Sequence, residues 1–432
     1  MLNWVSEIRD PVHGYIYITE AERAIIDTQP IQRLRRIKQL AGAYLTYAGG
    51  EHTRFCHSLG VMYLSGLLGE HLLQNGYLTL DTVEKIRVAG LLHDIGHGPF
   101  SHIFEELLEK YRNMTHEDLT EWLVKKSEIA DVLSSHGFSP KEMASLAIGS
   151  AKNVEKAYIN QIIAGQFSAD ILDYLGRDSY FTGVEYGRVD VYRLANSVDV
   201  VGDILAMDMA AFYALESLLI ARYEMFKAVY FHRTVRAAGI MIVRAMDYAH
   251  EAAHLTDFKN SEEYLELDDS SVMQRLLKLK TEDDSRLKTA YDYAWRFNNR
   301  VLLKCTYEVM FHHKDQFFVN LLSRDEVRER LVEDISAESG VDSDYIIIDV
   351  PTVPSVPHNP METFTNDTPV FQRNPDGSKE LRRLSDFSQL IDAMSGYVDV
   401  VRVYTLSQYR KKVQTAAEKI FGKRPSSIRV SF

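Results

Sequence analysis

The stretch that most constrains this chain is Leu91-Leu92-His93-Asp94-Ile95-Gly96-His97-Gly98-Pro99-Phe100-Ser101-His102. An apolar helical run through Val88, Ala89, Leu91 and Leu92 carries three histidines and an aspartate into the interior, and Gly96, Gly98 and Pro99 then break the helix. Any fold around it must accommodate ionisable groups at a buried helix end, where the chain break leaves space for water and a ligand. Neutral imidazole beside carboxylate suits a divalent transition ion. The competing reading is a buried His-Asp hydrogen-bonded pair that only supports packing.

A chain of 432 residues exceeds one ordinary core, so a main domain with an appendage is expected. Its 24 tyrosines and 19 phenylalanines argue for a packed globule rather than disorder. The net charge of -12 disfavours nonspecific nucleic-acid binding while leaving room for a local basic site for a small anion. Cys56 and Cys305 are the two cysteines, far apart in sequence, and no amino-terminal apolar segment reads as a signal peptide. A reduced, cytoplasmic setting is expected. No window approaches the roughly twenty apolar residues that span a bilayer, so a membrane protein is excluded.

Along the chain, Arg9 to Gly14 reads as a turn and Tyr15 to Ile18 as a short strand. A helix is expected after Thr19. Another opens at Pro30 with Ile31, Leu34, Ile37 and Leu40 inward and Gln32, Arg33, Arg35, Arg36 and Lys38 elsewhere, a basic run that is either a solvated face or a dock for polyphosphate. In the next long helix His57 is in register with Val61, Leu64 and Leu68, so it points inward, with Arg54 on nearly the same face. Thr115 is a candidate cap before His116 and Glu117. Asp170, Asp173, Tyr174 and Arg177 form a stripe on one helix face, either solvated or walling a polar cavity. Helices are expected from Leu205 to Arg222 and from Tyr223 to Tyr248. After about 255, helical segments alternate with strands at 305–311, 345–350 and 398–404, and six of eleven prolines fall in an irregular connection over 351–375. The expected architecture is mainly α: a helical core over 1–255, then a smaller α+β domain over 256–432.

His57, then His93-Asp94, then a distant Asp170 is the ordered signature of the HD-domain metal-dependent phosphohydrolases. More closely, Arg54-Phe55-Cys56-His57-Ser58-Leu59-Gly60-Val61, His93 to His102, Thr115-His116-Glu117 and Asp173-Tyr174-Leu175-Gly176-Arg177-Asp178 resemble the deoxynucleoside triphosphate triphosphohydrolases, including those that join a SAM domain to the HD core. The resemblance runs from about Arg9 to about residue 250.

The resemblance implies one divalent ion per subunit, held by His57, His93, Asp94 and Asp170; manganese, iron, zinc, nickel and magnesium all remain open. It implies that Arg54 neutralises phosphate charge, that His102 and His116 flank the scissile bond, and that Glu117 orients His116. Gln39 and Leu40 match positions that crowd the sugar, and Tyr174, Asp178 and Tyr230 those around the ribose. Asp27, Gln32 and Arg35 match the guanine-reading part of an allosteric site at which GTP or dGTP joins subunits into a homo-oligomer, a dimer or tetramer. The implied products are a deoxynucleoside and inorganic triphosphate. Ile171 and Ser6 stand where the family has lysines on phosphates, and Glu105 where it has an aspartate. Ile171 keeps alive another nucleotide phosphate ester as substrate: a monophosphate, cyclic nucleotide or guanosine polyphosphate. A nucleotide-binding regulator without turnover is the alternative from a different class.

Overall fold

The computed structural model describes residues 2–151, 157–311, 321–322, 324–350, 368–394 and 399–422. Near the amino terminus, β1 (Ser6–Asp10) and β2 (Gly14–Ile18) form an antiparallel hairpin. The Asp10 carboxylate accepts the amides of Val12 and His13 at 2.9 Å each, fixing the tip of the turn. α1 (Glu20–Ile26) starts on a capping box between Thr19 and Glu22.

α2 (Gln29–Arg33) opens on Pro30 as expected but is shorter than the helix read through Leu40. A 3-10 turn follows over Leu34–Arg36, and Ile37 is extended. Nor is the basic run one outer face. Arg33 is wholly buried under the Tyr264 ring and donates to the carbonyls of Leu267 (2.8 Å) and His97 (2.9 Å), while Arg36 pairs with Asp268 at 2.6 Å. Those partners lie more than 60 residues away, beyond the reach of a local pattern.

α3 (Arg54–Gln74) and α4 (Leu80–Leu92) pack along their length, and the stripe of His57, Val61, Leu64 and Leu68 is buried. Six helices follow: α5 (His102–Arg112), α6 (His116–Lys126), α7 (Ile129–Ser135), α8 (Pro140–Ala147), α9 (Tyr158–Ile163) and α10 (Ala169–Thr182). Thr115 caps α6 and Ser168 caps α10. After α11 (Val191–Ala195) comes a hairpin, β3 (Val198–Val201) and β4 (Ile204–Asp208), where a helix was expected to begin at Leu205. Gly202 at φ +66° makes the turn, so α12 (Phe212–Met225) starts later. A π-helical turn over Phe226–Tyr230 precedes α13 (Arg233–Ala249).

The carboxyl-terminal part holds α14 (Ser261–Leu265), α15 (Asp269–Lys278), α16 (Ser285–Asn298), β5 (Lys304–Phe311), α17 (Asp325–Ser339), β6 (Ile346–Asp349), β7 (Pro369–Arg373), β8 (Lys379–Arg383), α18 (Gln389–Met394), β9 (Asp399–Thr405) and α19 (Arg410–Phe421). The fold is mainly α with small sheets. β5, β9 and β6 form one antiparallel sheet, with Tyr307, Ile335, Val401 and Val413 packed beside it. β7 and β8 extend the β3–β4 hairpin, β4 and β7 running parallel. The main core therefore draws residues from Ile16 to Leu406. Most of the proline-rich connection, 351–367, lies outside the described residues, and within its remainder Pro369–Arg373 is strand rather than irregular. Among the described residues no helix is long and apolar enough to cross a membrane.

Candidate active site

Three helices converge on one point: α3 brings His57, the end of α4 brings His93 and Asp94, and the first turn of α10 brings Asp170. His57 Nε2 lies 3.3 Å from His93 Nε2, 3.0 Å from Asp170 Oδ1 and 3.6 Å from Asp94 Oδ2, and Asp170 Oδ1 is 4.0 Å from His93 Nε2. Nitrogen and oxygen ligands about 2.0–2.2 Å from a common ion stand roughly 3–4 Å from one another, so the donor set fits one divalent cation. Both rings are held with Nε2 inward. His93 Nδ1 donates to the Gly90 carbonyl at 2.8 Å, and His57 Nδ1 meets Asp173 Oδ2 at 2.7 Å.

Asp173 is itself locked by His13 Nε2 at 2.6 Å and by Arg177, whose guanidinium also reaches Asp10 at 2.8 Å. The polar stripe on α10 is thus an interior wall, Asp173 and Arg177 being fully buried. Gly60 makes this possible, because a Cβ there would stand 1.8 Å from Asp173 Oδ1. Burial alone would depress the His57 imidazole, but its hydrogen bonds to Asp170 and Asp173 and the field of Asp94 raise it to about 10. The pocket favours positive charge where the ion would sit.

A second cluster adjoins the first. His97 Nε2 lies 3.4 Å from Asp94 Oδ1, its ring stacks on His116 at 4.0 Å, and His102 meets it edge-on at 4.6 Å. Glu105 ties the cluster together, with Oε2 3.3 Å from His102 Nδ1 and Oε1 2.5 Å from His116 Nδ1. Glu117, expected to orient His116, is exposed instead. Adjacent residues on a helix point about 100° apart, so a carboxylate at 117 cannot back the ring at 116. Burial lowers His97 and His102, helped by the Arg54 charge. His116 is raised despite burial by the hydrogen bond its Nδ1 donates to Glu105, which is itself held far below the ordinary carboxylate range. Of the three imidazoles, His116 is therefore the one whose surroundings favour the protonated form. Arg54 is buried between the Asp94 carboxylate and Ser101 Oγ, the latter at 2.7 Å. Phe100 and Ser101 have φ of +58° and +60°, and Asp269 holds this turn by accepting the amides of Phe100 at 2.6 Å and Lys38 at 3.0 Å.

Gln39, Leu40 and Tyr230 border a cavity of about 820 Å³ that also reaches His102. Tyr230 donates to Asp178 at 2.6 Å, and His52 Nε2 contacts the other Asp178 oxygen at 2.7 Å. Tyr174 is buried on the same side with the Arg222 guanidinium against its hydroxyl. Asp27, Gln32 and Arg35 lie apart from these, near the α1–α2 junction. Arg35 Nε donates to Gln32 Oε1 at 2.8 Å and its guanidinium lies 3.5 Å over the Phe55 ring; Gln32 Nε2 donates to the Ile26 carbonyl, next to the exposed Asp27. Ile171 is buried and Ser6 exposed.

Sequence reasoning did not assign roles to His97, Asp173, His13, Arg222 or Glu105. For Glu105 a signal existed: it follows His102 at i+3, on the same helix face. His13 and Asp173 are 160 residues apart, and nothing local links them.

The description "HD domain" matches residues 54–178, and "HD associated region" matches residues 189–429. The chain belongs to the HD-domain family of phosphohydrolases, in the form that carries this associated region. It is 29% identical over 412 residues to the uncharacterised protein YwfO of Bacillus subtilis, covering 90% of this chain and 89% of that one. It is also 29% identical over 359 residues to the deoxynucleoside triphosphate triphosphohydrolase SAMHD1 homolog of Dictyostelium discoideum, covering 79% of this chain and 66% of that protein. A phosphohydrolase from Bacteroides thetaiotaomicron, known from its crystal structure, matches with a TM-score of 0.72 at 25% identity, over 93% of this chain and 100% of that one.

Proposed function

We propose that this chain hydrolyses deoxynucleoside triphosphates to a deoxynucleoside and inorganic triphosphate. The observation that carries the reading is the Glu105–His116 pair, an imidazole with a raised pKa beside the His57, His93, Asp94 and Asp170 cluster and a cavity large enough for a nucleoside. When bound, a divalent ion at His57, His93, Asp94 and Asp170 supplies Lewis-acid charge to the phosphate and acidifies water. Arg54, fixed by Asp94 and Ser101, adds positive charge beside the same phosphate. His116 gives its proton to the leaving 5′-oxygen and takes another from solvent, the Glu105 carboxylate favouring the recharged ring. His102, held neutral, lines the scissile bond. Gln39 and Leu40 crowd the sugar's 2′ position; Tyr174, Asp178 and Tyr230 face its 3′ side.

In the same reading, GTP or dGTP on Asp27, Gln32 and Arg35 joins copies of the chain into a homo-oligomer, residues 1–255 are the catalytic part, and the protein works in the cytoplasm. The buried, uncharged Ile171 favours a second reading, hydrolysis of a nucleotide carrying less phosphate charge. The test is incubation of metal-loaded protein with each of the four dNTPs, with and without GTP, and separation of products by anion exchange. Deoxynucleoside with triphosphate, abolished by His93→Ala and by Asp170→Ala, supports the reading. Turnover of monophosphates or cyclic nucleotides alone supports the second, and tight nucleotide binding without any turnover makes the protein a regulator.

A further inference from the structure

The cavity beside His102 extends well past the space a sugar needs. From Leu40 and Tyr230 it runs between α5 and α13 to α17 and the end of β6, so the HD-associated region supplies its far wall. At about 820 Å³ it falls within the roughly 300–1,000 Å³ of small-molecule sites. Three ion pairs form around it, while the exposed Glu109, Glu329 and Glu333 at its margin have none among the described residues. Arg236 pairs with Asp349 through two contacts, at 2.5 and 3.2 Å, Lys110 pairs with Asp247 at 2.6 Å, and Arg328 pairs with Asp325.

Glu106 is different. It lines the cavity one helical turn beyond His102, about 6 Å further along the helix axis, and makes no hydrogen bond or ion pair among the described residues. Burial pushes its carboxyl up to about 7, the guanidiniums of Arg236 and Arg328 being offset by Asp349 and Glu109. Glu106 is half-buried, and a partly desolvated carboxyl without donors is costly, a cost that a ligand bringing donors relieves.

We infer that Glu106 selects the base of the substrate and that the base is guanine. The inference rests on the nucleotide reading of the adjoining site. Guanine presents N1–H and the 2-amino group side by side, two parallel donors matched to the two oxygens of a carboxylate, as an arginine fork is. Adenine and cytosine present one donor beside one acceptor, and thymine one donor between two carbonyl oxygens. Against the ionised carboxylate, each would leave a Glu106 oxygen facing an acceptor.

The test is calorimetric binding of deoxyguanosine, deoxyinosine and deoxyadenosine to the full-length, metal-loaded protein and to its Glu106→Gln variant. Deoxyinosine lacks only the 2-amino group, so the wild-type comparison needs no mutation. The expected result is deoxyguanosine bound about tenfold or more tighter than either of the others, with Glu106→Gln bringing it level with deoxyadenosine while thermal unfolding shows an intact fold. Equal affinity for the three nucleosides, no binding of any, or a guanine preference that survives Glu106→Gln would each overturn it. Hydrolysis of dNTPs without guanine discrimination overturns the base assignment alone. Discrimination lost in Glu106→Gln, without hydrolysis, sustains the base assignment and overturns the reaction.

Discussion

The carboxylate of Glu105 meets the His116 imidazole at 2.5 Å, a contact between the first turns of two successive helices that no neighbour in sequence could make. It holds the ring in place and favours its protonated form, and the proposed departure of the leaving group needs both.

Replacing Glu105 with Gln is therefore expected to lower kcat about 100-fold with a much smaller change in KM. Glu105 raises the His116 pKa, so its loss lowers that pKa, and the alkaline limb of the kcat profile moves to lower pH. Glu117→Gln, on the exposed face, is expected to stay within about twofold of wild type. A pH–rate series on the two variants checks both, and equal losses would contradict the assignment.

Asp173 sits behind His57, and Gly60 leaves it room. Asp173→Asn is expected to weaken metal binding by roughly 10–100-fold. Gly60→Ala is expected to do the same by displacing the carboxylate, because its new methyl would overlap Asp173 Oδ1. Metal content after dialysis, with circular dichroism as the fold control, reads the effect; full retention in both variants would contradict it.

Asp269 links α15 to the strained turn at Phe100 and Ser101. Burial raises its carboxyl to about 6, against the two backbone amides that favour its charge. The folded value lies above the unfolded one of about 3.9, so its contribution is complete below about pH 4 and is lost as pH rises through about 6. Asp269→Ala removes both amide contacts at a cost of about 2–3 kcal/mol, and the deficit is expected to be about 1 kcal/mol larger at pH 5 than at pH 7. Urea unfolding at the two pH values measures it. A deficit that grows toward pH 7 would show that the sign is wrong.

Arg35 stacks on Phe55, the residue next to Arg54, so a nucleotide on that surface has a short route to the site. Arg35→Ala is expected to remove the response to GTP, read as the ratio of rates with and without GTP and as the shift in oligomer mass on a sizing column. A ratio above one that is unchanged by the substitution would place any activator elsewhere.

The inward direction of His57 and the glycine-broken helix end at His93 and Asp94 were legible from local pattern, whereas Asp170 joined them only through the family resemblance, its stripe having been open to a solvated reading. Capping at Thr115 was legible for the same local reason. What escaped was set by contacts across the chain. Arg33 looks solvated among its neighbours and is buried by Leu267 and Tyr264. His13 finds Asp173 only after the β1–β2 hairpin folds back. The β3–β4 hairpin was hidden by the apolar Leu205-Ala206-Met207 run, although Gly202-Asp203 was an available turn signal. Glu117 misled because adjacency in sequence is not adjacency on a helix.

In the proposed reaction, water cleaves the bond between the α-phosphorus and the 5′-oxygen. Turnover of a dNTP by metal-loaded protein in ¹⁸O-enriched water, with mass analysis of both products, tests it directly. The expected result is label in inorganic triphosphate and an unlabelled deoxynucleoside. Label in the deoxynucleoside, or release of a monophosphate with pyrophosphate, would contradict it.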